Sequence, residues 1–243
     1  MNPEDAPKEI PESIFADDDG TADARLAQTL IRHSSGRATL AEVVDALAYA
    51  RVLVPVVASG DLRKVGKHGL EQDEVASTGV VALEMPDGRR ALPIFTDVDA
   101  MRAWKVEARP VPAEGPRAAL AAVAEQWSVL VLNPGMESTV IPRPAVWALA
   151  QGEIWRPAVA AGAVDPEVAD AIAEAIAPHA ALAGVAVAPG DSAEVAVTIT
   201  VRPGLTPAEL EALVADVQAD LARANTVAQR VDSLQIRIEP SAR

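Results

Sequence analysis

Hydrophobic and polar positions alternate most regularly in the last third of the chain. Val195, Val197, Ile199 and Val201 alternate with Ala196, Thr198, Thr200 and Arg202, and Leu234, Ile236 and Ile238 alternate with Gln235, Arg237 and Glu239. Period-two alternation predicts two strands, each with one buried and one wet face. Between them, Thr206, Pro207, Ala208 and Glu209 form a capping box, which opens a helix whose Leu210, Leu213, Val214, Val217 and Leu221 make one apolar stripe. Upstream, Asp165, Pro166 and Glu167 supply a cap, a first-turn proline and an acidic first turn to a helix burying Val168, Ile172 and Ile176. With a further strand at Val185 to Ala188, the order is α-β-β-α-β. This predicts a small two-layer sandwich whose sheet has helices on one face and leaves the other open to a partner.

The first part of the chain has a different pattern, with apolar runs in place of alternation. Thr39, followed three residues later by Glu42, caps a helix from about Leu40 to Tyr49. Val52 to Ala58 is a continuous β-branched run interrupted by Pro55, which predicts a strand near a sheet edge. Gly79 to Met85 and Arg90 to Phe95 flank the turn triplet Pro86, Asp87, Gly88 and predict a hairpin. Thr96 is read as the cap of a short helix reaching Trp104. Ala118 to Glu125 and Ser128 to Leu132 give a helix and a strand, and Thr139 to Ile141 is a candidate to pair with that strand. Pro144 suits the first turn of a helix carrying Val146, Trp147 and Leu149, which Gly152 ends.

These patterns predict a mixed α/β and α+β chain of two domains: a mixed α/β domain at 25–155 and a smaller α-β-β-α-β domain at 165–243. Residues 156–164 form the linker, because local periodicity stops in a stretch containing Pro157, Gly162 and several alanines. Residues 59–78 are charged and read as a surface loop. Residues 1–24 read as a disordered acidic tail, carrying Pro3, Pro7 and Pro11 and the run Asp17, Asp18, Asp19, Gly20.

Charge changes the picture once it is divided along the chain. The 243 residues carry a formal charge of −14. Residues 1–20 hold seven acids and one Lys, residues 21–164 sixteen acids and fifteen bases, and residues 165–243 twelve acids and five bases. Acidity concentrated at both ends argues against nucleic-acid backbones and anionic lipid as partners. Arg89, Arg90, Arg102, Arg109 and Arg143 in the near-neutral middle read as a solvated rim. The chain has no cysteine, which excludes disulfides, thiol nucleophiles and thiolate metal sites. The first twenty residues lack the basic start and apolar stretch of a signal peptide, and no apolar run is long enough to span a membrane, so a cytoplasmic protein is expected.

Catalytic motifs fail one by one. Gly60 to Lys67 has five residues between its glycines where a phosphate loop needs four, and His68 stands where a hydroxyl would hold magnesium. The Asp17 to Asp19 run lacks a calcium loop's alternate acids, with Phe15 and Leu26 standing where Asp and Glu belong. His33, His68 and His179 share no metal-ligand spacing. No GxSxG elbow is present, and Asp97 and Asp99 suit a helix's first turn. No catalytic residue, cofactor or metal site is assigned.

The four tryptophans at 104, 127, 147 and 155 are costly in a chain with only 3 % aromatics. Most belong in the core. Trp155, between Glu153 and Arg156 just past a helix end, is the candidate for exposure at an interface, since exposed Trp and Arg are enriched in binding hot spots.

Five segments also fall in a recognisable order: Leu53 to Ala58, Ala91 to Trp104, Ala108 to Pro112, Leu130 to Pro134 and Pro142 to Gly152. Over roughly residues 25–157 they resemble the SseB N-terminal domain, the enhanced serine sensitivity family, as in its actinobacterial members. That resemblance implies a domain without an established active site, so it carries no catalytic residue over. Two functional classes follow. The first is a non-enzymatic binding or adaptor protein, in which the first domain's Pro-flanked edges and Trp-bearing helix, with Trp147 and Trp155 as candidate contacts, engage a protein partner while the acidic second domain adds a second surface or a dimer contact. The second is a sensor of an amino acid or carboxylate, or an enzyme of amino-acid metabolism, with Arg109 and Arg143 near the segment after Phe95 as ligand-binding groups.

Overall fold

The computed structural model describes residues 15–57 and 79–241. The loop at 59–78, the Gly60 to Lys67 segment and His68 therefore lie outside the described residues.

The chain opens with α1 (Ala24–Ser34) and α2 (Leu40–Leu47). Asp23 caps α1 through the Leu26 amide. The Thr39/Glu42 capping box forms at α2, with Thr39 N–H donating to Glu42 at 2.8 Å. Strand β1 (Arg51–Val56) pairs antiparallel with β4 (Arg109–Glu114), placing Pro55 opposite Pro110. The two strands form a separate ladder beside the main sheet, joined to it by a bridge between Leu53 and Phe95. That sheet is ordered β2-β3-β5-β6, from β2 (Leu83–Glu84), β3 (Arg90–Ile94), β5 (Val129–Leu132) and β6 (Thr139–Ile141). Its central pair, β3 and β5, is parallel, joined through α3 (Val98–Trp104), β4 and α4 (Gly115–Ala124).

Helix α5 (Arg143–Gln151) follows β6 and ends in a left-handed Gly152. Its Ala145, Val146 and Leu149 join Leu92, Ile94, Leu130 and Leu132 in the largest apolar cluster. Gly115 is required at the entry to α4, because a Cβ there would lie 2.0 Å from the Leu47 carbonyl oxygen.

A second cluster, from Ala158 to Val231, shares no residue with the first. Helices α6 (Pro166–Ile176), α7 (Pro207–Arg223) and α8 (Asn225–Arg230) supply its helical side. The sheet is ordered β11-β10-β9, from β11 (Leu234–Pro240), β10 (Val195–Val201) and β9 (Leu182–Pro189). β10 runs antiparallel to β9 and parallel to β11. The chain is thus of mixed α and β content, with the second cluster arranged as α-β-β-α-α-β.

Several readings are corrected. Asp97, not Thr96, caps α3 by accepting from Ala100 N–H at 2.8 Å, while the Thr96 hydroxyl donates to Asp97. Residues 156–164 are not a featureless linker: β7 (Val159–Ala160) and β8 (Ala163–Val164) form a hairpin, and Ala158 is fully buried in the second cluster. Residues 15–23 are tied to the fold. Asp18 pairs with Arg51 at 2.9 Å, both largely buried, and the Gly20 carbonyl accepts from Val98 N–H. Burial of that ion pair holds the end of the acidic segment in place.

Candidate functional site

The two clusters meet where α5 passes α8. Arg143, the first residue of α5, is the principal bracket. Its guanidinium donates to the Ala228 carbonyl at 2.7 Å and the Val231 carbonyl at 2.5 Å, satisfying groups at the end of α8 that have no partner within the helix. Its backbone N–H donates to Asp232 at 3.2 Å. Arg89, from the β2–β3 turn, donates to both oxygens of Asp232 at 2.8 and 3.0 Å. Asp232 N–H in turn donates to Glu194 at 2.7 Å. Burial, joined by the neighbouring Asp232 charge, pushes the Glu194 carboxyl above its ordinary value, while the Asp232 N–H pulls the other way. Nearby, Arg230 ties α8 back to the start of α6 through Asp165 at 2.7 Å and Glu167 at 3.1 Å. Its hydrogen bond holds Asp165 below the usual carboxylate range.

Trp147 stands on the outer side of this seam. Its neighbours on α5, Val146 and Ala148, are buried, yet Trp147 is 45 % exposed. It lines two concavities. One, of about 400 Å³, is bounded by Val123, Trp127, Val146 and Ala228. The other, of about 540 Å³, is bounded by Gln151, Trp155, Arg156 and Arg230. Trp155 is half-buried against the first cluster, and its indole N–H is buried without a hydrogen-bond partner among the described residues, an arrangement uncommon in folded proteins.

Of the four candidate residues, Trp147, Trp155 and Arg143 converge on this seam. The exposed tryptophan is Trp147, and Trp155 lies more deeply. Arg109 is elsewhere, on β4 opposite Val56, and lines neither concavity. The two arginines read as a carboxylate pair are therefore apart, and the Arg143 guanidinium is already occupied by carbonyls. Arg89 and Arg143 do not form a solvated rim, since both converge on Asp232. Sequence reasoning missed Asp232, Glu194 and Arg230 as parts of the seam. They lie in mixed polar segments, Gln229 to Ser233 and Asp191 to Glu194, where a charge does not name a partner. Among the described residues no cluster of His, Asp or Glu is arranged to hold a metal ion, and no helix is long and apolar enough to cross a membrane.

The first cluster, with its mixed sheet and proline-studded outer pair, defines a family domain. The model of the SseB protein N-terminal domain matches residues 26–148, half of the chain, and the protein belongs to the SseB family. No curated protein and no solved structure matches the chain. The matched segment ends within α5, so Arg143 and Trp147 lie inside it, while Trp155, α8 and the whole second cluster lie outside.

Proposed function

We propose that this SseB-family chain is a non-enzymatic, cytoplasmic binding protein of two domains, which receives an apolar segment of a protein partner at the α5–α8 seam. The observation that carries the reading is Trp147, a large aromatic left 45 % exposed between two concavities. An aromatic anchor beside apolar walls and a polar rim is the composition of a binding hot spot. The rim comes from Gln151, Gln229 and Arg230. The domain matched by the family model supplies Trp147 and its floor, and α8 supplies the opposite wall, so the surface needs both domains. Acidity at both ends of the chain supports a protein partner over nucleic acid. No observation specifically favours the alternative amino-acid or carboxylate sensor.

The test is affinity capture from native cytoplasm at moderate salt, comparing the wild type, Trp147→Ala and a charge-matched unrelated protein. A stoichiometric partner held by the wild type and lost by Trp147→Ala, at unchanged melting temperature, is expected. Equal capture by both forms overturns the assignment of the seam.

A further inference from the structure

Arg51, the first residue of β1, lies at the carboxyl end of β3, where the chain turns into α3. Its side chain is only 15 % exposed, and each guanidinium nitrogen has an acceptor. Nη1 donates to the Thr96 carbonyl at 2.9 Å, Nε to the Asp18 carboxylate at 2.9 Å, and Nη2 to the Thr21 carbonyl. Thr96 is inside the segment that the family model matches, residues 26–148, whereas Asp18 and Thr21 precede it. The family domain supplies the cation, and a short stretch outside that domain supplies its anion.

The way that stretch sits is specific. One Asp18 oxygen meets Arg51, and the other accepts from Gly20 N–H at 2.9 Å and shapes the turn. The Gly20 carbonyl then accepts from Val98 N–H at 3.1 Å. Gly20 has a φ of 78°, and a Cβ there would lie 2.6 Å from the Val98 side chain, so both backbone and space call for glycine. The seat formed by Arg51 and Val98 thus selects a carboxylate, a glycine two residues later, and the carbonyl of that glycine.

Two further observations bear on exchange at this seat. Among the described residues, none of 15–23 joins any of the four apolar clusters, and a segment with so little apolar burial opens at low cost. Arg51 cannot be left bare in its place, because a largely buried guanidinium stripped of its carboxylate bears its desolvation cost uncompensated. We propose that the Arg51 seat is a receptor for an Asp-Xaa-Gly segment of a protein partner, and that Asp18 to Gly20 holds it closed in cis until such a segment displaces them.

Charge and shape select the occupant. The guanidinium requires an anion, the Val98 N–H requires a carbonyl, and the Val98 side chain leaves no room for a Cβ between them. The chain's own Asp18, Asp19 and Gly20 show that a peptide meets all three conditions at once. A free phosphate could neutralise Arg51 but brings no glycine carbonyl to Val98. A second copy of a chain with net charge −14 is disfavoured by its own repulsion. The proposal does not involve Trp147, so it stands or falls separately from the seam.

The probe is a labelled peptide with the sequence of residues 15–23, Phe-Ala-Asp-Asp-Asp-Gly-Thr-Ala-Asp, added to the full chain and followed by anisotropy. Gly20→Val in the chain should expel the cis segment, speed exchange of the Val98 amide, and bind the peptide about tenfold more tightly than wild type, because occupancy in cis scales affinity by the open fraction. Bound peptide should slow the Val98 amide again. Peptides carrying Gly20→Val or Asp18→Asn should bind that open chain at least about tenfold more weakly, Arg51→Gln added to the open chain should abolish binding, and Trp147→Ala should change nothing. Equal binding by wild type and the Gly20→Val chain overturns the proposal, as does a Gly20→Val chain that binds no peptide or whose Val98 amide exchanges as in wild type. Equal binding of the wild-type and Gly20→Val peptides also overturns it. A wild-type dimer in sedimentation that Asp18→Asn dissolves assigns the seat to a second copy and overturns the partner reading.

Discussion

The two hydrophobic clusters solve the same problem with different sheets. In the first, β3 and β5 are buried along nearly their whole length, and every residue of β5 is covered. In the second, β10 alternates from Val197 onward, with Thr198 and Thr200 half-buried between buried Val197, Ile199 and Val201. The first reads as continuous apolar runs and the second as period two, because a strand covered on both faces has no wet side to mark. The difference teaches where each region is free to interact. The first sheet is enclosed and offers its helices, whereas the second offers a strand edge and an open face.

The largest expected effect tests this contrast directly. Leu130→Ala, at a fully buried position of the enclosed sheet, should cost about 4 kcal/mol, and half-buried Ile236→Ala about 2 kcal/mol, both read from urea unfolding. Equal losses would erase the distinction.

Next is Arg143→Ala, which removes the bracket between the regions. It should cost about 1–2 kcal/mol and speed amide exchange in α8 more than in α5. Unchanged exchange in α8 would mean that the regions do not depend on this contact. A smaller effect shows what the regions share. Thr39→Ala and Thr206→Ala each remove a capping box and should each cost about 1 kcal/mol in melting or urea curves; a large disparity would mean that tertiary packing, not capping, holds one of these helices.

The smallest effect concerns Glu194. Its folded pKa is raised, so the folded state holds the proton more tightly than the unfolded state; the group's contribution is fully present below the ordinary carboxylate value and is lost as pH rises through the folded value. At neutral pH its charge is a burden. Glu194→Gln, which keeps an acceptor for the Asp232 N–H, should be slightly more stable than wild type at pH 7, and the gain should vanish in acid. Asp165, with its lowered value, acts in the opposite sense: its contribution is present above the ordinary carboxylate range and lost as pH falls through the folded value. A Glu194→Gln variant less stable than wild type at pH 7 would show that the carboxylate is more useful charged.

Local signals were legible wherever chemistry and geometry are neighbours in sequence. The Thr39/Glu42 and Thr206/Glu209 boxes, the Asp165 to Glu167 start of α6 and the strands β10 and β11 all appear in the fold, but burial alternates only in β10, whereas β11 runs from half-buried at Leu234 to exposed at Ile238. β4 escaped because Pro110 and Pro112 argue against a strand, and it pairs nonetheless on an outer, proline-tolerant sheet. α8 is a six-residue turn of helix without a side-chain cap, too short for a periodicity to show. Of the seam, Trp147 and Trp155 could be singled out by their cost in an aromatic-poor chain. The use of Arg143 could not, because its acceptors are backbone carbonyls 85 and 88 residues away, and a carbonyl leaves no mark in sequence.

The parallel pairing of β10 with β11 has a consequence for the order in which the protein is made. β11 is the last strand of its sheet, and α7 and α8 intervene before it. Every element of the first cluster precedes residue 156, so it can close on the ribosome while the rest is still being translated. The second cannot close until β11 has emerged, and until then β10 exposes the side that β11 will cover. A nascent chain stalled after α8 should therefore already resist protease over its first half and remain sensitive in its second.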